Sequence, residues 1–326
     1  MRTALNVIMV LMVCIFSGCN GASVEKELLT VDFQQSRTLR YQFISSREIA
    51  VITKSESKQD NENETVDRYS ETMEMVVAYT PIEINPYGLT TVKATCESVK
   101  VTRSLPRGGS LAKDALESLT GETFIFTVSP TGRIEDYSQL DKLIRKLGEK
   151  AFRPEGRGGR IKEPDMIADF IATQWFLWDS VSSIEKAAEG ITVGQTWKSK
   201  LSIPVPMLMR KARDVTYKLD EIRQTEKGRI AVIKSSYSLA ESVPGGWPVP
   251  YTGSFQMSGP FGFYRNYKVL DFQGQGEELF NIDAGREEQY DQNYQMQLSA
   301  SLLFAISDIS ININIKQNLS TKLLEN

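Results

Sequence analysis

Strict alternation of apolar and polar residues is the feature that most limits what this chain can fold into. Near the C-terminus, Ile309, Ile311, Ile313 and Ile315 alternate with polar residues. Side chains on a β-strand point to opposite faces with a period of two, so this pattern predicts a strand with one buried face. An unpaired strand of this kind would promote aggregation, so we expect it to lie inside a sheet.

The same period recurs along the chain. Leu39, Tyr41 and Phe43 alternate with polar residues, and residues 123–128 read TFIFTV before the turn sequence SPTG. Pro at the second position and Gly at the fourth favour a tight turn, so this segment predicts a β-hairpin. Two further strands are predicted on either side of a KG turn, in DVTYKLDEI and GRIAVIKSSYSL.

Two segments in the middle of the chain have a helical period instead. YSQLDKLIRKLGEKAF and EPDMIADFIATQWFLWDSV each place apolar residues on one face at a period of 3.6. The second segment is rich in aromatic residues, and Phe170, Trp175 and Trp178 are candidates for the wall of an apolar pocket. The alternative interpretation is ordinary packing of a helix on a sheet. A shorter helix is predicted between Ser110 and Gly121.

These patterns predict an α+β fold dominated by antiparallel β structure, a curved sheet or half-barrel covered by two or three helices. We expect one β-rich domain over residues 37–326. A weak similarity between GETFIFTVSPTGR and GEELFNIDAGR is compatible with two related halves, 37–150 and 190–326, joined by helices within 137–180.

The N-terminus predicts secretion and lipidation. Arg2 precedes an apolar run, ALNVIMVLMVCIF, that is shorter than the roughly 20 residues of a transmembrane helix. The following FSGC resembles a bacterial lipobox, with Phe16 where Leu is usual. The resemblance implies a signal peptide over 1–18, cleavage between Gly18 and Cys19, and lipid on Cys19, which would anchor the chain to a membrane.

Two further expectations follow from this N-terminus. By resemblance to the bacterial sorting rule, Asn20 favours the outer membrane, facing the periplasm, and residues 19–36 are expected to form a tether. The alternative is an ordinary signal peptide with an incidental cysteine.

Composition excludes several kinds of chemistry. The chain has no histidine, which excludes Ser-His-Asp and Cys-His nucleophile pairs, zinc sites built on histidine and haem with a histidine ligand. Cys14 lies in the signal, so Cys96 is the cysteine left without a partner for a disulfide, and its strand-like surroundings predict a core residue. A formal net charge of −3 gives no basic field for nucleic acid. No cofactor is expected.

Two motifs point to a family. The first is GETFIFTVSPTGRI and the second is ITVGQTW. The residues concerned are Gly121, Phe124, Val128, Gly132, Ile134, Gly194 and Trp197. With the tether and the late strands, the chain resembles an uncharacterised family of bacterial secreted and lipid-anchored envelope proteins, whose motifs are structural in type. The resemblance implies no catalytic residues.

Three functions remain open at this point. The first is a non-catalytic envelope lipoprotein that binds an apolar ligand, such as a lipid, or a partner protein. The second is a hydrolase of envelope glycans that works through two carboxylates. Its candidate acids are Asp165, Asp169, Glu277, Glu278, Glu287 and Glu288. The third is a scaffold for envelope assembly. Of these the first is favoured, so we do not expect an enzyme.

Overall fold

Eleven strands form one antiparallel sheet in the part of the chain that the structure describes. The computed structural model describes residues 26–34, 37–55, 63–104, 115–132, 134–136, 138–139, 142–143, 190–202, 211–242, 264–302 and 309–324. The strands are β1 (Leu39–Ser55), β2 (Asn63–Ile84), β3 (Thr90–Ser104), β4 (Thr123–Val128), β5 (Ile134–Asp136), β6 (Thr196–Ser202), β7 (Ala212–Thr225), β8 (Gly228–Leu239), β9 (Tyr264–Asn281), β10 (Arg286–Leu302) and β11 (Ile309–Leu324).

The strand order joins the two ends of the chain at the centre of the sheet. The order is β5-β4-β3-β2-β1-β11-β10-β9-β8-β7-β6, so β1–β5 and β6–β11 are two meanders and β5 and β6 are the edges. Strands β1 and β11 pair without a register shift from Arg40 opposite Leu324 to Ser55 opposite Ile309. The strand predicted from the isoleucine alternation is confirmed, and it lies inside the sheet as expected.

The sheet is buried on one face and exposed on the other. Along β11 the odd-numbered residues from Ile311 to Thr321 are buried, and the even-numbered residues between them are exposed or half-buried. One apolar core covers β6–β11 and includes Val215, Phe272 and Ile313, and a second covers β1–β4 and includes Phe43 and Phe126. Cys96 lies in the second core, as predicted, and its burial raises the pKa of the thiol to about 12.

The predicted turns form as expected. In the SPTG turn the Gly132 N–H donates to the Ser129 carbonyl at 2.7 Å, and β4 and β5 pair on either side of it. The KG turn joins β7 and β8, with Gly228 at φ 111°. A positive φ costs glycine little and other residues much more, which explains glycine at this position.

The predicted α+β fold with covering helices is wrong. No helix of seven or more residues occurs in the described ranges, and the sheet is open at β5 and β6. The helix predicted between Ser110 and Gly121 appears there as one 3-10 turn, Ala115–Leu119. Gly121, at φ 87°, then donates its N–H to the Cys96 carbonyl and returns the chain to the sheet, so the segment docks on β3 instead of extending as a helix.

The two long predicted helices lie almost wholly outside the described residues. Only residues 138–139 and 142–143 of the first belong to the described part, and none of the second does. Within the described part, no helix is both long and apolar enough to cross a membrane.

Residues 26–34, which we call the strap, cross one end of the sheet. They belong to the segment expected to be a tether. Glu27 exchanges backbone hydrogen bonds with Ile191, the Val31 N–H donates to the Pro130 carbonyl at 3.0 Å, and the Asp32 N–H donates to the Gly285 carbonyl at 2.9 Å. Leu29 of the strap packs into the β6–β11 core and Phe33 into the β1–β4 core. The strap therefore connects the two cores.

Candidate functional site

A band of polar side chains crosses the middle of the buried face, and we call it the polar belt. Its members are Ser45, Arg47, Glu71, Arg103, Ser235, Tyr237, Tyr290, Gln292, Tyr294 and Gln317. Polar groups in such a place cost free energy unless they form hydrogen bonds or bind a ligand. The polar belt is therefore the candidate functional site.

Cross-strand register places five of these side chains in one row. Arg103 on β3 lies opposite Glu71 on β2, Glu71 opposite Arg47 on β1, Arg47 opposite Gln317 on β11, and Gln317 opposite Tyr294 on β10. Side chains directly opposite on one face of a sheet are close enough to interact. The row crosses the β1–β11 pairing, so it joins the two meanders.

A buried ion-pair triad forms one end of this row. The Arg47 and Arg103 guanidinium groups each approach a different oxygen of the Glu71 carboxylate at 3.4 Å. The Arg47 side chain is 1% exposed, so its charge is almost completely removed from water. Arg47 Nε also donates to Gln317 Oε1 at 3.3 Å, and Gln317 Nε2 donates to Ser45 Oγ at 2.9 Å. One carboxylate therefore contacts two guanidinium groups in a buried position.

Three tyrosines form the other end of the polar belt. The hydroxyls of Tyr237 and Tyr290 share a hydrogen bond of 2.8 Å, and the Tyr237 hydroxyl also bonds Ser235 Oγ at 2.7 Å. The Tyr294 hydroxyl donates to Gln317 Oε1, which also accepts from Arg47, so Tyr294 is linked to the triad. The Arg213 guanidinium lies 4.5 Å from the centre of the Tyr237 ring, a cation–π distance.

Two glycines on β9 make room for these rings. A Cβ atom on Gly274 would lie 2.5 Å from the Asn293 carbonyl oxygen and 2.6 Å from Tyr294 Cβ. A Cβ atom on Gly276 would lie 2.4 Å from the Tyr237 hydroxyl and 2.7 Å from Ser235 Oγ. Glycine inside a strand often marks such a close approach. The two glycines of QGQGE therefore leave the space that the tyrosines of the neighbouring strands occupy.

Burial keeps the hydroxyl of Tyr290 protonated. Desolvation raises the pKa of Tyr290 well above its usual value, and the nearby Tyr237 and Tyr217 raise it further, while Arg213 opposes them. Burial also raises the pKa of Tyr41, whose hydroxyl donates to the Glu287 carbonyl at 2.8 Å. A neutral, buried phenol is a poor nucleophile and a good hydrogen-bond donor or acceptor. The belt is thus suited to holding a polar group in place.

One acceptor of the polar belt has no hydrogen-bond partner. Gln292 is 3% exposed, and its Oε1 atom accepts no hydrogen bond from the described part of the chain. Gln292 lies opposite Gly276 on one side and Leu319 on the other, in the row next to Gln317. A buried acceptor of this kind costs about 1–3 kcal/mol unless a bound group donates to it.

The structure describes only some of the site residues predicted from the sequence. Seven of them lie outside the described residues, namely Gly18, Cys19, Asp165, Asp169, Phe170, Trp175 and Trp178. The four other candidate acids lie on β9 and β10. Glu278 and Glu287 are buried, and Glu277 is exposed, as the period of β9 requires. Glu288 lies at the register shift between Glu287 and Gln289, where that period is interrupted, and its side chain is 11% exposed.

The buried acids do not form an accessible catalytic pair. Glu278 is 1% exposed and Glu287 is 4% exposed, so a glycan cannot reach either carboxylate from solvent. Glu288 accepts hydrogen bonds from Arg286 and Asn281 and serves a structural contact. No group of three residues in the described ranges has the composition and spacing of a metal site.

Sequence reasoning missed the polar belt. A signal for it is present in β1, where Ser45 and Arg47 interrupt the inward positions between Phe43 and Ile49. A polar residue at an inward position marks a buried polar contact, but its partners depend on strand register, which the sequence of one strand does not contain.

Comparisons with known proteins give weak likenesses. No family model matches the sequence, and no curated protein matches it. A solved structure of lipovitellin, which describes lipid-protein interactions in that protein, aligns over 90% of this chain with 12% identity and a TM-score of 0.43. This chain spans 26% of that lipovitellin chain. The crystal structure of Pseudomonas aeruginosa OpdQ aligns over 87% of this chain and 98% of that chain, with 6% identity and a TM-score of 0.12.

Proposed function

We propose that this chain is a lipid-anchored envelope protein whose sheet binds an apolar ligand along its buried face. The observation that carries the proposal is the one-sided sheet itself. Eleven strands, spaced at about 4.8 Å, make a sheet about 50 Å wide. One face carries both apolar cores, together with the polar belt and the buried Arg213, Glu278 and Glu287. Apolar surfaces with a few placed polar groups are typical of ligand sites.

The polar belt supplies the polar contact that orients such a ligand. The Gln292 Oε1 atom is a buried acceptor with no donor in the described part of the chain, and a hydroxyl or amide donor on a ligand that inserts into the core would satisfy it. The apolar residues above and below the belt, such as Met296 and Leu319, would contact the hydrocarbon part. The ligand class that fits is a lipid with one uncharged polar end.

Extraction of the purified, full-length protein tests this proposal. Organic solvent removes lipid that is not covalently bound, while acyl chains attached to Cys19 stay with the protein. We expect mass spectrometry of the extract to show a lipid in stoichiometric amount, and Gln292→Met to reduce that amount. If the protein is empty and binds no fluorescent lipid analogue, the carrier function is wrong, and crosslinking in cells then tests the envelope scaffold.

The anchor has its own test. We expect radioactive palmitate to label the wild-type protein and to leave Cys19→Ala unlabelled, because the acyl chains are attached at Cys19. Equal labelling of the two proteins would show that the segment before Cys19 acts as an ordinary signal peptide.

The candidate acids Glu278 and Glu287 are too deeply buried to support the glycan hydrolase.

A further inference from the structure

Large apolar side chains are exposed at the end of the sheet that the strap crosses. Of the exposed large hydrophobic residues in the described ranges, five lie on the strap, at the end of β2, in the turn after it or just before β6. They are Leu28, Ile82, Ile84, Tyr87 and Val193, which we call the apolar rim. Tyr87, in the turn between β2 and β3, is 89% exposed. The other two, Val66 and Leu270, lie toward the opposite end, near the starts of β2 and β9.

Contacts along the strap hold the rim together. Gly88, next to Tyr87, lies against the Pro130 ring, since a Cβ atom there would be 2.6 Å from Pro130 Cγ. The Pro130 carbonyl accepts from Val31 of the strap. At the other end of the strap, Glu27 pairs with Ile191, which precedes Val193 by two residues. The rim is therefore carried by turns and a strap that contact one another, and not by separate loose segments.

The length of the connecting chain limits the distance between the strap and the predicted lipid anchor. Seven peptide units separate Cys19 from Lys26, the first described residue of the strap. A chain of that length reaches at most about 25 Å when fully extended. If Cys19 carries lipid, the end of the sheet with the strap must stay within that distance of the bilayer surface. The opposite end, with Val66 and Leu270, has no such constraint.

We propose that the apolar rim docks on the bilayer surface, with Tyr87 in the headgroup region and the strap between the bilayer and the core. This inference rests on the Cys19 anchor of the proposed function. Tyrosine is favoured at membrane interfaces because its ring is apolar and its hydroxyl is wet. Exposed apolar side chains gathered at one end of a sheet mark a membrane or protein contact. The predicted anchor, within reach of the strap, selects the membrane.

The test uses the full-length, acylated protein in vesicles of phosphatidylethanolamine and phosphatidylglycerol that contain lipid with a nitroxide on its acyl chain. A fluorophore is attached at Tyr87→Cys in one variant and at Leu270→Cys in the other, the matched control at the opposite end of the sheet. Cys96 does not compete for the label because it is buried and its thiol has a pKa of about 12. We expect several-fold stronger quenching at position 87 than at position 270.

Three outcomes distinguish failure of the docking, of the anchor and of the carrier function. Vesicle flotation with equal or absent quenching at the two positions leaves the anchor intact and shows that the rim does not dock. Failure to float removes the anchor, and the docking with it. Strong quenching at position 87 in a protein whose organic extract is empty supports the docking and removes the carrier function alone.

Discussion

At the residue scale, the close approach of neighbouring atoms to Gly274 and Gly276 predicts that an added methyl group destabilises the fold. Gly276→Ala places a Cβ atom against the Tyr237 hydroxyl and Ser235 Oγ, so we expect a loss of about 1–3 kcal/mol in the free energy of unfolding. Tyr237→Phe removes the nearer obstacle, so the double variant should recover part of the loss. Denaturant titration of the single and double variants measures both effects.

Gly274→Ala is the matched control. Its Cβ atom would meet the backbone oxygen of Asn293, which no side-chain substitution removes. We therefore expect Tyr237→Phe to rescue Gly276→Ala and not Gly274→Ala. Equal rescue at both positions, or rescue at neither, would show that the tyrosine hydroxyl is not the obstacle at position 276.

Two buried glutamines on neighbouring strands are predicted to behave differently. Gln317 Oε1 accepts from Arg47 and Tyr294, so Gln317→Met should cost about 1–3 kcal/mol because it removes the acceptor of both hydrogen bonds. Gln292 Oε1 has no partner, so Gln292→Met should leave the free energy of unfolding unchanged or raise it by about 1 kcal/mol. Thermal unfolding of ligand-free protein compares the two variants. A loss as large for Gln292→Met as for Gln317→Met would contradict the assignment of an unused acceptor.

At the element scale, the strands could be predicted from the sequence, whereas the prediction of helices that cover the sheet was wrong. Period-two alternation identified β1, β4 and β11, and turn chemistry identified SPTG and KG, because these signals are local. The row from Arg103 to Tyr294 joins residues that are far apart in sequence, so it depends on register. The helix expected before Gly121 was overestimated because Leu119 packs on β3 after a single 3-10 turn.

Besides its backbone hydrogen bonds, the strap is held at Glu27 by one arginine. The Arg229 guanidinium donates to Asp283 Oδ1 at 2.9 Å and to both carboxylate oxygens of Glu27 at 3.0 Å. Arg229→Met removes both contacts, so we expect faster hydrogen exchange at the Glu27 and Ile191 amides, with little change on β11. Hydrogen exchange measured by mass spectrometry on strap peptides would show this. Unchanged exchange in the strap would mean that Leu29 and Phe33 hold it without the arginine.

Low pH should weaken the contact between Arg229 and Asp283. Hydrogen bonds from the Arg229 backbone and side chain lower the pKa of Asp283 below its usual value. A carboxyl group with a lowered pKa stabilises the fold above the pKa of the unfolded chain, about 3.9, and this contribution is lost as the pH falls through the folded value. We expect the unfolding temperature of wild type to fall below about pH 4 more steeply than that of Asp283→Asn. Parallel curves for the two proteins would contradict this.

At the scale of the whole molecule, the β1–β11 pairing decides whether the two meanders fold as one. This pairing runs the full length of both strands, the row from Arg103 to Tyr294 crosses it, and Val31 of the strap packs against both cores. The proposed functions need this continuity. A ligand on the apolar face would lie across the β1–β11 pairing, and the apolar rim combines turns of both meanders with the strap.

Because the sheet is continuous, we expect a substitution that destabilises the β1–β11 pairing to lower the stability of both meanders. Ile313 is fully buried on β11, between Val51 on β1 and Leu298 on β10, so Ile313→Ala should cost about 2–5 kcal/mol. Hydrogen exchange in increasing urea should then show peptides of β2–β3 and of β7–β8 losing protection at the same, lower concentration, since one cooperative unit unfolds as a whole. Asn314→Ala, on the exposed face one residue away, should leave both unchanged. If β7–β8 keeps wild-type protection while β2–β3 loses it, the two meanders are separate folding units, and a ligand that spans them would have to join them.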